Sequence, residues 1–353
     1  MEGFYEFGSL HAMMKKEYGE DFISEVGEDA FLEAVEEFSI TLSEKYLHYS
    51  KEYYGEALRQ RSEFGERVVK KWREVFEKFE GYIELCFEIV VYYSKANKDS
   101  AEEEGSFQFR ALKQLHAKSI LVAREIQALL ESGYADGAFA RWRTLHEIGT
   151  ACVVISRNSD AAERFILHES VMNYKRAINY NEFHERLNHD PIPESDIEKL
   201  KVLRDEAAKV LGENCERQSD YEWARPVFKE EGWPKKTRIT FAKLEKVAGL
   251  EHYRPYYEWA CEKNHAPSKE NFANLGLGKF YGHESYLVGQ SSHGMVEPIN
   301  CTCLSLVNVV SSCLVEFSDT DSIVMINVLT KYADSLSQLA LEISCSEKYA
   351  DID

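Results

Sequence analysis

The sequence predicts an all-α protein, a multi-helix bundle of long antiparallel helices with no significant sheet. Three observations predict it. No proline occurs before Pro191, and proline is the residue that most strongly breaks a helix interior. Apolar residues recur at three- and four-residue steps over many consecutive turns, which is the helical period. No run alternating every second residue is long enough to support a sheet.

The elements follow in order. Residues 28–60 read as one helix and residues 64–95 as a second, its broad stripe formed by Val68, Val69, Trp72, Val75, Phe76, Phe79, Ile83, Cys86, Phe87 and Val90. Such a stripe must be covered by other helices. The polar "NKDSAEEEGS" (97–106) is unpatterned and reads as a boundary. It separates an acidic helical region, 1–96, from a helical bundle domain, 107–345, that carries the candidate site. Three strong helices come next, near 107–131, 136–156 and 160–187, the last starting at the cap-like "NSD". "LNHDPIPESD" is a turn, with Ser195 the expected N-cap of a helix at 196–211. Residues 212–238 are irregular, and short helices follow near 239–248 and 252–264. The Gly-, Ser- and His-rich stretch 264–300 reads as a functional or capping loop region. The final helices run near 299–317 and 320–345.

Composition sets limits on function. Of 353 residues, 44% are hydrophobic and 29% charged, as in a soluble globular protein. No apolar run reaches the roughly 20 residues that span a bilayer. The N-terminus lacks the basic-then-apolar order of a secretion signal, so a cytoplasmic location and no membrane partner are expected. The eight cysteines form no CxxC pair, and reduced, buried thiols are expected. A net charge of −19 argues against a protein that coats nucleic acid. That charge is uneven. Residues 1–50 hold 12 acidic and 3 basic side chains, whereas residues 107–190 hold 10 acidic and 11 basic. The acidic N-terminal region thus has the character of a surface for a protein partner, and a neutral or basic pocket remains open to the bundle.

The stretch "GYADGAFARWRTLHEIGTACVV" (133–154) holds the candidate site. Its core is apolar, yet it carries Arg141, Arg143, His146 and Glu147 within seven residues. Arg143, His146, Glu147 and Thr150 lie at helical spacing on one face. Arg141 projects among apolar residues, about 140° around from His146. Neighbouring helices repeat the theme, with Lys113, His116 and Gln127 on one and Arg164, His168 and Lys175 on another. Buried charges persist only when paired, and clusters with shifted pKa values mark functional sites. The plain alternative is an Arg143–Glu147 ion pair with His146 at the core rim. Other patterns carry less. "NLGLGK" (274–279) lacks phosphate-loop spacing, and "GQSSHGMVEP" reads as a loop cap more readily than as a nucleophile and base. No cofactor motif is found, and no HExxH pair.

Three segments, "GYADGAFARWRTLHEI", "ERFILHESVMNYKRAINY" and "HYRPYYEWACEKNHAPSK", resemble in that order a family of bacterial proteins known only as a domain of unknown function. The resemblance spans roughly residues 70–310 and directs attention to Arg143, His146, Glu147, His168, Tyr174 and His265, which stand inside its blocks. A looser likeness is to the all-helical HEPN ribonuclease bundles of toxin and antiviral systems, whose signature spaces an Arg from a His. Arg141 and His146, with four residues between them, satisfy the spacing, but Trp142 stands where a polar residue usually follows the Arg.

Three functions compete. One is a metal-independent ribonuclease-like effector in defence or stress response, with Arg143, His146, Glu147, His168 and His265 as catalytic groups. The second is a non-catalytic module that binds a small anionic ligand or a protein partner. The third is a mononuclear metal enzyme built on His116, His146, Glu147, His168 and His265. RNA or a small anion, and a second copy of the chain, are the expected partners.

Overall fold

A computed structural model describes residues 16–19, 28–96, 106–212, 220–264, 288–315 and 319–346. The protein is all-α, and no strand occurs among the described residues. The chain divides into two compact units, Met1–Glu66 and Arg67–Asp353. Residues 67–96 thus fall with the second unit, ahead of the polar stretch expected as the boundary.

Helix α1 (Glu28–Ala96) spans 69 residues. The break expected between residues 60 and 64 is absent. Phe31, Leu42, Tyr53, Phe64 and Val75 recur every eleven residues, as do Val35, Tyr46, Ala57, Val68 and Phe79. The apolar phase therefore runs unbroken through Gly65. A single helical glycine costs only about 1 kcal/mol, too little to end a helix this long. Then come α2 (Phe107–Glu131), α3 (Ala135–Ser156), α4 (Ser159–Phe183), α5 (Glu194–Leu211), α6 (Arg225–Glu230), α7 (Phe241–Ala248), α8 (Arg254–Glu262), α9 (Val296–Leu314) and α10 (Thr320–Ser344).

Caps set several of these boundaries. Side chains of Ser106, Asn158 and Asp319 accept from backbone N–H groups three residues on, closing the first turns of α2, α4 and α10. Ser195 does not cap α5. The helix starts two residues earlier, after Pro193 (φ −57°, ψ 143°), and gains from Glu194 and Asp196 in its first turn.

Helix α3 is the hub of the second unit and packs against α2, α9, α7, α8 and α4. Apolar residues on nearly every side are what a surrounded helix needs. Phe139, Leu145, Cys152 and Ile155 are wholly buried, and a buried side chain of this size contributes roughly 1.5–3 kcal/mol. Against α9 the approach is close: a Cβ on Gly149 would lie 3.4 Å from the Ser305 carbonyl oxygen. The Trp142 indole N–H donates to the Cys301 carbonyl and to Ser305 Oγ, both at 2.9 Å.

The later part of α1 covers the same core. Trp72, Val75, Phe79, Tyr82, Ile83 and Cys86 are buried. The Tyr82 hydroxyl donates to the Cys303 carbonyl, and the Trp72 indole to the Ser292 carbonyl, each at 3.0 Å. The "GQSSH" segment is likewise a tied loop. Lys71 Nζ donates to Ser292 Oγ at 3.3 Å, and Ser291 N–H to the Gly133 carbonyl at 2.9 Å. Gly133, at φ +79°, closes the α2–α3 turn in the left-handed conformation that favours glycine. All described cysteines are free thiols; five are buried, Cys261 is half-buried and Cys345 is exposed. Among the described residues no helix is long and apolar enough to cross a membrane.

Candidate functional site

Each ionisable group of the 141–147 stretch has a partner from another element or an adjacent turn. Arg141 Nε donates to Glu125 of α2, and its Nη1 donates to Thr144 Oγ1 at 3.2 Å. Arg143 Nε donates to Glu147 Oε1 at 3.1 Å and to the Tyr257 hydroxyl at 3.0 Å. That hydroxyl in turn donates to Glu147 Oε1 at 2.5 Å. The Arg143 guanidinium also lies over the Tyr257 ring, 5.4 Å from its centroid. The bond to Tyr257 raises the Arg143 pKa above its ordinary value. Burial and the bond to Glu147 hold the Tyr257 phenol protonated, with its pKa raised.

His146 lies beneath this group. It is 2% exposed, and its Nε2 sits 2.9 Å from Glu245 Oε1, itself wholly buried. Arg254 pairs with the other Glu245 oxygen. A carboxylate can only accept, so Nε2 carries the ring hydrogen. Trp142, Phe241, Tyr253 and Tyr257 enclose the imidazole at centroid distances of 5.2–5.9 Å. Burial, reinforced by the nearby Arg254 charge, lowers the His146 pKa to about 4. The ring is thus neutral near neutral pH. Arg254 continues the chain outward, stacking over Tyr257 at 5.0 Å and Phe241 at 5.5 Å. A connected network therefore runs from Glu147 and Arg143 through Tyr257 and Arg254 to Glu245 and His146.

The outer end of the network opens on a cleft of about 380 Å³. Arg141, Arg143, Thr144 and Glu147 line it from α3, with Leu129, Gly137, Ala140 and Asn264 completing the wall. The volume falls in the range of small-molecule sites. His146 is not part of that wall.

The helical rows read from the sequence do not converge on one point. His116 turns away, with Nε2 3.1 Å from the Cys86 carbonyl and its ring stacked on Phe87. His168 is buried on α4, and burial lowers its pKa. Among the described residues no hydrogen bond or ring contact joins it to Arg143, His146 or Glu147. Tyr174 packs under Arg204 of α5, 4.7 Å from the guanidinium. His265 lies outside the described residues, as does "NLGLGK". Among the described residues no group of three or more His, Cys, Asp or Glu side chains is placed to hold a metal ion.

Glu245, Arg254 and Glu125 were not singled out from the sequence. Glu245 did leave a signal. It stands with Phe241, Leu244 and Ala248 at the core-facing positions of the short α7, where a carboxylate requires an internal partner.

Fold and site together define an all-α bundle in which a buried His–Glu–Arg network supports an arginine-lined cleft. Residues 109–277 match the model of a family described as "Family of unknown function (DUF5677)". The match runs from α2 through α8, so every residue of the network lies inside it. No curated protein and no solved structure matches the chain. The looser likeness to HEPN bundles therefore gains no support, and Arg141 and His146, its two signature residues, engage different partners.

Proposed function

We propose that the α3 cleft binds a small anionic ligand, with Arg143 as the group that receives it. The supporting observation is how Arg143 is held. Glu147 and Tyr257 both engage Nε, which fixes the plane of the guanidinium. Its two terminal nitrogens make no hydrogen bond to any described residue. A fixed guanidinium fork with its terminal N–H groups unspent matches a carboxylate or phosphate geometrically. Thr144 and Asn264 supply uncharged polar groups in the same wall.

The ribonuclease reading needs an acid and a base that both reach the scissile bond. His146 is sealed in an aromatic enclosure, and among the described residues nothing links His168 to the cleft. In the binding reading His146 is a positioning residue. It anchors Glu245, which holds Arg254 against the Tyr257 ring, and Tyr257 holds Arg143.

A thermal-shift series with inorganic phosphate, citrate and nucleoside monophosphates tests the proposal. At least one anion is expected to raise the melting temperature, with the gain lost in Arg143→Ala and kept in Arg124→Ala. A ligand at about 100 times its Kd stabilises by about 2.7 kcal/mol, a readily measured shift. RNA incubated with the protein and a chelator is expected to stay intact. Cleavage abolished by His146→Ala would instead select the ribonuclease.

A further inference from the structure

Among the described residues of the first unit, a seam of large side chains along α1 is exposed. Ile40, Leu47 and Tyr54, seven residues apart, are 52%, 71% and 60% exposed. Between them, also at seven-residue intervals, stand Ser43, Ser50 and Ala57. Large and small side chains thus alternate along one seam. Both serine hydroxyls turn back on their own helix: Ser43 Oγ donates to the Ile40 carbonyl at 2.7 Å and Ser50 Oγ to the Leu47 carbonyl at 2.6 Å. Their hydrogen bonds are satisfied locally, so the seam can be buried without orphaned polar atoms.

We propose that this seam pairs with the same seam of a second copy, in antiparallel orientation. The alternation fixes the register. Ile40 of one copy lies against Ala57 of the second copy, Ser43 against Tyr54, and Leu47 against Ser50, and the two-fold axis repeats each layer. Every layer then joins one large and one small side chain, as interdigitated helices require. A parallel pair would stack Ser43 on Ser43 and Tyr54 on Tyr54, leaving voids in some layers and crowding others.

Charge selects the same orientation. Residues 28–44 hold six acidic and no basic side chains; residues 45–61 hold four basic and two acidic. In this register residues 36–44, with three acidic and no basic side chains, lie beside residues 53–61 of the second copy, with two basic and one acidic, whereas parallel pairing sets the acidic segments side by side. At the flank of the seam Glu44 meets Lys51 of the second copy, twice by symmetry, and Glu36 comes opposite Arg61. The paired stretch from Ile40 to Ala57 covers about 27 Å of helix.

Sedimentation equilibrium of the full chain tests this. The expected mass is twice 40.7 kDa. Leu47→Glu is expected to weaken dimerisation about tenfold or more, because it buries unpaired carboxylates; residue 47 is largely exposed in the single chain, so the fold is preserved. Glu44→Lys alone is expected to weaken the dimer, and adding Lys51→Glu to restore it. Orientation is read by crosslinking. Ile40→Cys and Ala57→Cys chains are expected to yield a 40–57 linked peptide by mass spectrometry only when mixed. A monomer, a dimer indifferent to Leu47→Glu, self-linking of each single variant, or occupancy of the seam by a different protein would overturn the proposal.

Discussion

Replacing Glu245 by alanine probes the buried network at its midpoint. The side chain is 0% exposed and bridges His146 Nε2, at 2.9 Å, to Arg254. Its removal leaves the His146 N–H without a partner inside an aromatic enclosure, which costs about 1–3 kcal/mol. Breaking a buried ion pair costs about 3–5 kcal/mol, but Arg254 is 24% exposed and can recover hydration, so the lower end applies. The two losses share one carboxylate and overlap, giving an expected destabilisation of roughly 3–4 kcal/mol. Urea unfolding followed by tryptophan fluorescence measures it, since Trp142 packs directly on His146. Glu74→Ala is the control: the same residue type, 62% exposed and paired with Lys78 within its own helix, should cost no more than about 1 kcal/mol. Equal costs for the two variants would refute the assignment of Glu245 as the buried anchor.

Three further outcomes follow from the same contacts. His146 is held at about 4 against 6.5 for a free imidazole, so the unfolded chain binds more protons between those values. Stability is therefore full above pH 6.5 and falls as pH drops through the window; lowered values at His116 and His168 act in the same direction, and a urea midpoint that rises on acidification would contradict this. Gly149→Ala should be neutral or stabilising by up to about 1 kcal/mol, because the new Cβ meets Ser305 O and Val309 Cγ2 at 3.4 and 3.9 Å while helix propensity improves. Gly149→Val should lose about 1–3 kcal/mol against α9, and equal midpoints for the two variants would show that α3 and α9 are not in close contact there. Trp142→Phe removes the donor to Cys301 and Ser305 and should cost about 1–3 kcal/mol, read as a lower melting temperature without loss of helical circular dichroism.

Local features were legible in the sequence, and long-range pairings were not. The helices at 107–131 and 136–156 matched α2 and α3 within a residue, because their apolar period and the Gly133 turn are local signals. The Arg143–Glu147 pair followed from i,i+4 spacing. The unbroken α1 was missed because a pause in the three-and-four rhythm near residues 60–64 resembles a break, until the eleven-residue spacing of the aromatics is followed across it. The link from His146 to Glu245 spans 99 positions, and no local pattern specifies which helix meets which. A histidine on an apolar helix reads equally as a ligand, a catalyst or a buried anchor; only the Glu245 carboxylate and the aromatic ring contacts separate these.

The central claim is that Arg143 presents its terminal nitrogens to an anion in the α3 cleft. Isothermal titration calorimetry tests it most directly, using the anion that gives the largest thermal shift against the unmodified protein, Arg143→Ala and Tyr257→Phe. Binding at one site per chain, abolished by Arg143→Ala and weakened by Tyr257→Phe, is the predicted result. Undiminished binding to Arg143→Ala would contradict the account.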